Sequence, residues 1–266
     1  MSNMEVTNFY PDNEYHTPED TTRALGDRLS LGVRWYFYFK IFQVVLKSRK
    51  LAVYNKFDDA VWAEVSHQML ECHEMCGAKC HFTGLDNISK PDGPVVFIGN
   101  HMSTSETFLM PSIIVPRKRV TFVIKKNLLD YPFFGPVMRS RDPIVVGRKD
   151  PREDFKAVMQ EGCRRLKNGV SVVVFPQSTR MPEFQPENFN TIGIKLARKA
   201  NVPVVPLALK TDFWGNGAVI KEAGPINRKK QIHIEFAPPI TVSGTGKEQH
   251  TAIIEFIQKK LAEWNS

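Results

Sequence analysis

The residues with the clearest chemical potential lie in Asn100-His101-Met102-Ser103-Thr104-Ser105-Glu106, where a histidine and a carboxylate stand five positions apart. A carboxylate that holds an imidazole in one tautomer leaves the far ring nitrogen as a general base, able to take a hydroxyl proton. That chemistry suits acyl or group transfer to an alcohol. The same run also fits a helix capping box, in which Glu106 reaches back to a backbone N–H. Two arginines come later. Arg148 follows Pro143-Ile144-Val145-Val146-Gly147, and Arg180 follows Pro176-Gln177-Ser178-Thr179. A guanidinium is a planar fork matched to phosphate, and Ser178 and Thr179 add hydroxyl donors beside Arg180.

Each of these groups comes after a short apolar run, so each is expected at the end of a buried strand. The run 94–99 leads into His101, 143–146 into Arg148, and 170–175 into the Arg180 turn. The last is almost unbroken, as in strands buried on both faces. Strands are further expected at 79–83, 120–124, 203–209 and 231–236. Helices are expected at 57–76, 106–114, 154–166, 191–200 and 248–264, from apolar spacing. Alternating strands and helices predict a single α/β domain with a largely parallel mixed sheet covered by helices. Such sheets gather ligands at the carboxyl ends of their strands, where the histidine and both arginines fall.

Ahead of that domain the composition changes. The first twenty residues carry five acids and no Lys or Arg, opposite to a secretory signal, and residues 1–28 read as a flexible acidic arm. Residues 31–46 are rich in aromatics (Trp35, Tyr36, Phe37, Tyr38, Phe39, Phe42), yet shorter than the ~20 apolar residues of a spanning helix. On a helical wheel Lys40, Gln43 and Lys47 share one face, while Trp35, Phe39, Phe42, Val45 and Leu46 spread over the other. A helix lying in a membrane interface and an ordinary core-facing helix both fit that pattern. The boundaries that follow are 29–77 for an N-terminal helix pair, interfacial or core-facing, and 78–266 for the domain that carries the histidine and the arginines.

The net charge of +8 is uneven, with ten basic and three acidic residues between Arg117 and Arg152. Such a field favours an anionic partner such as phosphate, coenzyme A, an acidic carrier protein or anionic lipid, unless it is simply a solvated face. No nucleic-acid-binding module accompanies it, so no nucleic-acid partner is expected. Cys72, Cys76 and Cys80 lie beside His73 and His81, but Gly77 breaks the helical pattern and no second ligand pair follows. Reduced thiols and no metal are the expectation.

Taken together, these segments resemble the glycerolipid acyltransferases. Four blocks agree in order, from about Gly84 to Leu207, near half the chain. Asn100-His101-x4-Glu106 is similar to the family's Asn-His-x4-Asp, and Ile144-Val145-Val146-Gly147-Arg148 to its second block. Phe175-Pro176-Gln177-Ser178-Thr179-Arg180 resembles Phe-Pro-Glu-Gly-Thr-Arg, and Val202-Pro203-Val204-Val205-Pro206 resembles Val-Pro-Ile-Val-Pro. Gly84-Leu85-Asp86-Asn87, Lys125 and Pro132-Phe133-Phe134-Gly135 also agree.

The resemblance implies acyl transfer from acyl-coenzyme A or acyl carrier protein to the hydroxyl of a lysophospholipid such as 1-acylglycerol-3-phosphate, with no cofactor. His101 would be the base and Glu106 its orienting partner. Arg148 and Arg180, with Lys125, Ser178 and Thr179, would bind substrate. It further implies peripheral or monotopic association with the cytoplasmic face of a membrane. Glu106 stands where the family has aspartate, and Gln177-Ser178 where it has Glu-Gly. Those departures leave room for another acceptor (a lipid A precursor, an amino-acid lipid or another lysolipid) or for a lipid-binding relative without activity.

Overall fold

The computed structural model describes residues 5–30, 33–218 and 220–266. Residues 1–4 of the acidic arm, Leu31 at the start of the aromatic stretch, Gly32 and Val219 lie outside them. Among the described residues eight strands, β1 (Glu14–His16), β2 (Cys80–Thr83), β3 (Val96–Gly99), β4 (Val120–Lys125), β5 (Ile144–Val146), β6 (Ser171–Val174), β7 (Val204–Lys210) and β8 (Ile232–Phe236), form one sheet. Their order is β1-β2-β8-β7-β3-β6-β4-β5. The run from β7 to β5 is parallel throughout, so five carboxyl ends line one edge of the sheet. β8 runs antiparallel to β7, and β1 antiparallel to β2.

Helices explain why the central strands are apolar without alternation. β3, β6 and β7 are buried at every position, because both faces of the sheet are covered. On one face lie α2 (Trp35–Val53), α3 (Asp59–Met75) and α5 (Ser105–Ile114), which share a core with Phe97, Val173 and Leu207. On the other lie α7 (Pro151–Lys167), α8 (Ile192–Ala200) and α9 (Lys247–Glu263), which share a core with Ile98, Val174 and Ala208. Adjacent residues of one strand thus serve opposite cores. Short helices α1 (Leu25–Leu29), α4 (Asp86–Ser89) and α6 (Gly135–Ser140) fill the connections.

Two regions correct or refine the expectations. The acidic N-terminal segment is packed rather than loose over its described residues. Tyr10 is 1% exposed, and its hydroxyl lies 3.2 Å from that of Ser112 in α5. The Tyr15 and Thr17 hydroxyls both donate to the Glu74 carboxylate, at 2.8 and 2.6 Å. Inward aromatics and hydroxyl pairs hold this segment, and neither depends on its net charge.

The aromatic stretch, in turn, does two things. α2 packs through Phe37, Ile41, Val45, Ser48 and Ala52. Trp35, Phe39, Phe42, Leu46 and Val53, at helical spacing, form a separate exposed stripe. No described helix is long and apolar enough to cross a membrane.

The basic segment is partly consumed by structure. Arg117 donates to backbone carbonyls of Tyr10 and Ile113, and Arg119 and Arg141 pair with Asp59. The cysteines are all free thiols. Burial pushes the pKa of Cys72 up to about 11 and of Cys76 up to about 12, as expected of thiols used for packing.

Candidate active site at the carboxyl edge of the sheet

The site is built outward from the end of β3. There β3 and β7 approach closely, so that a Cβ on Gly99 would fall 2.7 Å from the Leu207 Cβ. One residue on, the buried Asn100 amide donates to the Leu209 carbonyl at 2.7 Å and accepts from the Leu209 N–H at 2.9 Å. The side chain thus satisfies the β7 backbone just where β3 turns away. The turn carries His101 over the sheet edge. Its N–H donates to Gln177 Oε1 at 2.8 Å, its carbonyl accepts from the Met181 N–H at 2.8 Å, and its ring stacks on Phe175 at 4.4 Å. The loop after β6 therefore clamps the imidazole from below and from both backbone ends.

His101 Nδ1 lies 2.7 Å from Glu106 Oε1, leaving Nε2 as the basic nitrogen. Glu106, in the first turn of α5, is fully buried. A buried carboxylate persists only where its oxygens find donors. Here the Met102 N–H (2.7 Å), the Ser103 N–H (3.1 Å) and the Thr211 hydroxyl all converge on it. Capping and orienting are one geometry. The carboxylate satisfies two N–H groups ahead of the helix and holds the imidazole with the same atoms.

Ser103 ties the arrangement down. Its hydroxyl lies 2.8 Å from Thr211 Oγ1 and accepts from the Ser105 N–H at 3.1 Å. Beneath, the buried His73 bridges the Met69 carbonyl (2.7 Å) and the Ser105 hydroxyl (3.0 Å). Burial lowers the His73 pKa to about 4, so this imidazole is neutral.

The predicted substrate-binding residues form the other half of the edge. Arg148 follows β5 with φ +57°, and the N–H groups of Gly147 and Arg148 donate to the Asp154 carboxylate at 2.7 and 2.8 Å. Burial depresses the Arg148 pKa first of all; Asp154 opposes that shift and the positive charge of Arg180 adds to it. The two arginines thus feel one another across the opening.

Arg180 already has partners, the Thr104 hydroxyl and the Glu222 carboxylate. Burial pulls the Glu222 pKa up, but the hydrogen bond and charge of Arg180 outweigh it and hold it below the usual range. Ser178 is exposed with φ +62°, and Thr179 Oγ1 accepts from Lys221 Nζ at 3.0 Å. Lys125 is exposed at the end of β4, level with Val146 and so beside the Arg148 turn. It makes no side-chain hydrogen bond or ion pair with the histidine among the described residues.

Sequence reasoning missed four contributors. Thr211 sits just past β7, and the strand-end logic that found His101 could have reached it. Gln177 stands out in the sequence only as a departure, whereas its amide oxygen fixes the His101 backbone. Asn100 stands out as a motif letter and not as the bridge to β7. Glu222 lies in an irregular stretch with no pattern to mark it.

Comparison with known proteins adds four findings. The family model described as Acyltransferase matches residues 79–210. The chain is 32% identical over 189 residues to the 1-acyl-sn-glycerol-3-phosphate acyltransferase of Pseudomonas aeruginosa, covering 71% of this chain and 68% of that protein. It is 28% identical to the chloroplastic 1-acyl-sn-glycerol-3-phosphate acyltransferase BAT2 of Brassica napus, over 62% of this chain but only 45% of that longer protein. The crystal structure of the 1-acyl-sn-glycerophosphate acyltransferase PlsC from Thermotoga maritima shares the fold. Its TM-score is 0.67 at 20% identity, covering 90% of this chain and 98% of that one.

Proposed function

This chain belongs to the acyltransferase family and is an O-acyltransferase, and from that premise we propose that it acylates the free hydroxyl of a lysophospholipid, 1-acylglycerol-3-phosphate first among candidates. The observation that carries the reading is the His101 Nδ1 to Glu106 Oε1 contact of 2.7 Å, at an edge that also presents Arg148 and Arg180.

In the proposed reaction His101 Nε2 takes the acceptor's hydroxyl proton as its oxygen attacks the thioester carbonyl. The tetrahedral intermediate collapses, the C–S bond breaks, and the thiolate leaves with the proton from His101. Glu106 stabilises the imidazolium in between and fixes its tautomer. A thioester is already activated, so the residues described need no covalent intermediate and no resident cofactor. Acyl-coenzyme A or acyl carrier protein is the donor.

Arg148 and Arg180 hold the acceptor phosphate, with Lys125 at the margin and Ser178 and Thr179 as hydroxyl donors. The phosphate takes the place of Glu222 on Arg180. Membrane association belongs to the same proposal. The exposed stripe of α2 lies in the lipid interface at the cytoplasmic face, flanked by Lys47 and Lys50. The Phe42 and Phe133 rings, 5.3 Å apart, extend the stripe to the loop after β4, which follows Lys125.

A second reading, another lysolipid acceptor, is favoured by one pair of observations. Gln177 spends its amide on the His101 backbone, and Glu222 brings a carboxylate to Arg180 from elsewhere in the chain. Purified protein given lysophosphatidate and other lysolipids, each with both donors, is expected to yield the diacyl product of lysophosphatidate fastest, read by mass spectrometry. Faster turnover of another acceptor selects the second reading, and full activity in a folded His101→Ala variant overturns the mechanism.

A further inference from the structure

We propose that Glu14, His16 and His81 form a binding site for a divalent transition-metal ion of the zinc class, which fastens the edge strand β1 to β2. The site follows from strand alternation. Tyr15 packs inward against Phe82, so Glu14 and His16 share the opposite face of β1. His16 is the register partner of His81 in the antiparallel pair, which places the two imidazoles side by side. Their rings are 3.8 Å apart, and His16 Nε2 lies 3.0 Å from Glu14 Oε1.

One donor atom from each of the three residues lies within 4.8 Å of the others. Donors around a tetrahedral ion at about 2.0–2.1 Å stand roughly 3.3 Å apart, so rotation of the exposed Glu14 and His16 side chains out of the ring stack closes the shell, with water completing it. Two imidazoles and a carboxylate select zinc-like ions over calcium or magnesium, which prefer all-oxygen shells.

A second observation points to a ligand. His81 Nε2 is shielded from solvent and has no hydrogen-bond partner among the described residues. A shielded imidazole nitrogen without a partner is costly, and a metal ion would satisfy it. The sulfur donors do not compete, because Cys80 is buried on the other face of β2, where its thiol packs with the core. Nor does the site touch the reaction, since β1 and β2 lie at the far edge of the sheet from β6, β4 and β5. The gain is mechanical. β1 has only three residues, and an ion bridging it to β2 adds a bond where the ladder is shortest.

The test uses the full chain, stripped with chelator and titrated with zinc chloride by calorimetry and with cobalt chloride by visible absorption. The expected result is one zinc ion per chain, a higher melting temperature on binding, and a tetrahedral cobalt spectrum. His16→Ala and His81→Ala are each expected to weaken zinc by ~10-fold or more, as loss of a ligand at a three-donor site requires. His101→Ala leaves the zinc affinity unchanged, which separates this site from the His101–Glu106 pair. No saturable binding, or unchanged affinity in a folded His16→Ala variant, overturns the proposal. His16 is exposed at the sheet edge, so that variant folds even if His81→Ala does not.

Discussion

The two halves of the sheet edge are built in opposite ways. Around His101 and Glu106 the carboxylate oxygens, the inner ring nitrogen and the backbone are all held. The carboxylate is fully buried under several donors, and the imidazole is gripped at its ring and at both backbone ends. Around Arg148 and Ser178 the chain is exposed, and both residues have positive φ, a conformation that costs a non-glycine residue of order 1 kcal/mol. Arg180 sits between them, half committed to Thr104 and half to Glu222. Chemistry that must be repeated identically is set in a rigid frame. Recognition that must admit and release a charged head group is set in loops whose present partners can be exchanged.

That contrast can be broken experimentally, and the largest effect belongs to the rigid half. His101→Ala is expected to lower kcat by ~10²–10⁴-fold with little change in KM for the acceptor, the loss typical of a general base. A KM effect of the same size would mean that the histidine binds and does not react. Glu106→Gln keeps an oxygen for the helix cap but puts an amide against Nδ1, and kcat should fall about 100-fold while the fold survives by circular dichroism. Arg180→Ala should act the other way round. Removing one charge-assisted partner raises the acceptor KM by roughly 10-fold or more and spares kcat. Glu222→Gln should lower that KM, because a competing carboxylate is gone; a higher KM would show that Glu222 supports binding.

The rigid half also has an acid limit. Burial holds His73 near pKa 4 in the folded chain, against 6.5 for an unperturbed histidine. Between those values the unfolded chain binds the extra proton. Stability is therefore undiminished above about pH 6.5 and is lost as the pH falls toward 4. Urea titrations should show a loss of about 2 kcal/mol between pH 7 and 5 from this group, and His73→Gln should flatten that slope. The smallest effect lies in the loops. Ser178→Gly relieves a left-handed backbone, and the unfolding free energy from urea titration should rise by about 1 kcal/mol or less.

Much of this was legible in the residues before any coordinates. Strands β3, β6 and β7 announce themselves because burial on both faces removes alternation, and His101, Arg148 and Arg180 follow such runs directly. β1 was invisible for the opposite reason. Three residues in an acidic stretch carry no period, and only the placement of Tyr10, Tyr15 and Thr17 against α3, α5 and β2 makes them a strand. The aromatic stretch was legible in composition but not in division. A wheel cannot say that Val45 goes inward while Phe42 and Leu46 stay out, because that depends on where α3 packs. Thr211 and Glu222 approach the site from residues far along the chain. Contacts between distant segments leave no trace in local spacing.

Asn100 has one more consequence. Its amide occupies both the N–H and the carbonyl of Leu209 from a position 2% exposed, at the centre of the parallel strands. Hydrogen at that amide can exchange with solvent only when β3 and β7 separate, and these strands share both cores with their neighbours. The Leu209 proton should therefore be among the slowest in the molecule, lost at the rate of global opening. The amides of Arg148 and Ser178 should exchange by local fluctuation. The floor beneath the histidine would then open last, and its exchange lifetime would report the stability of the whole domain.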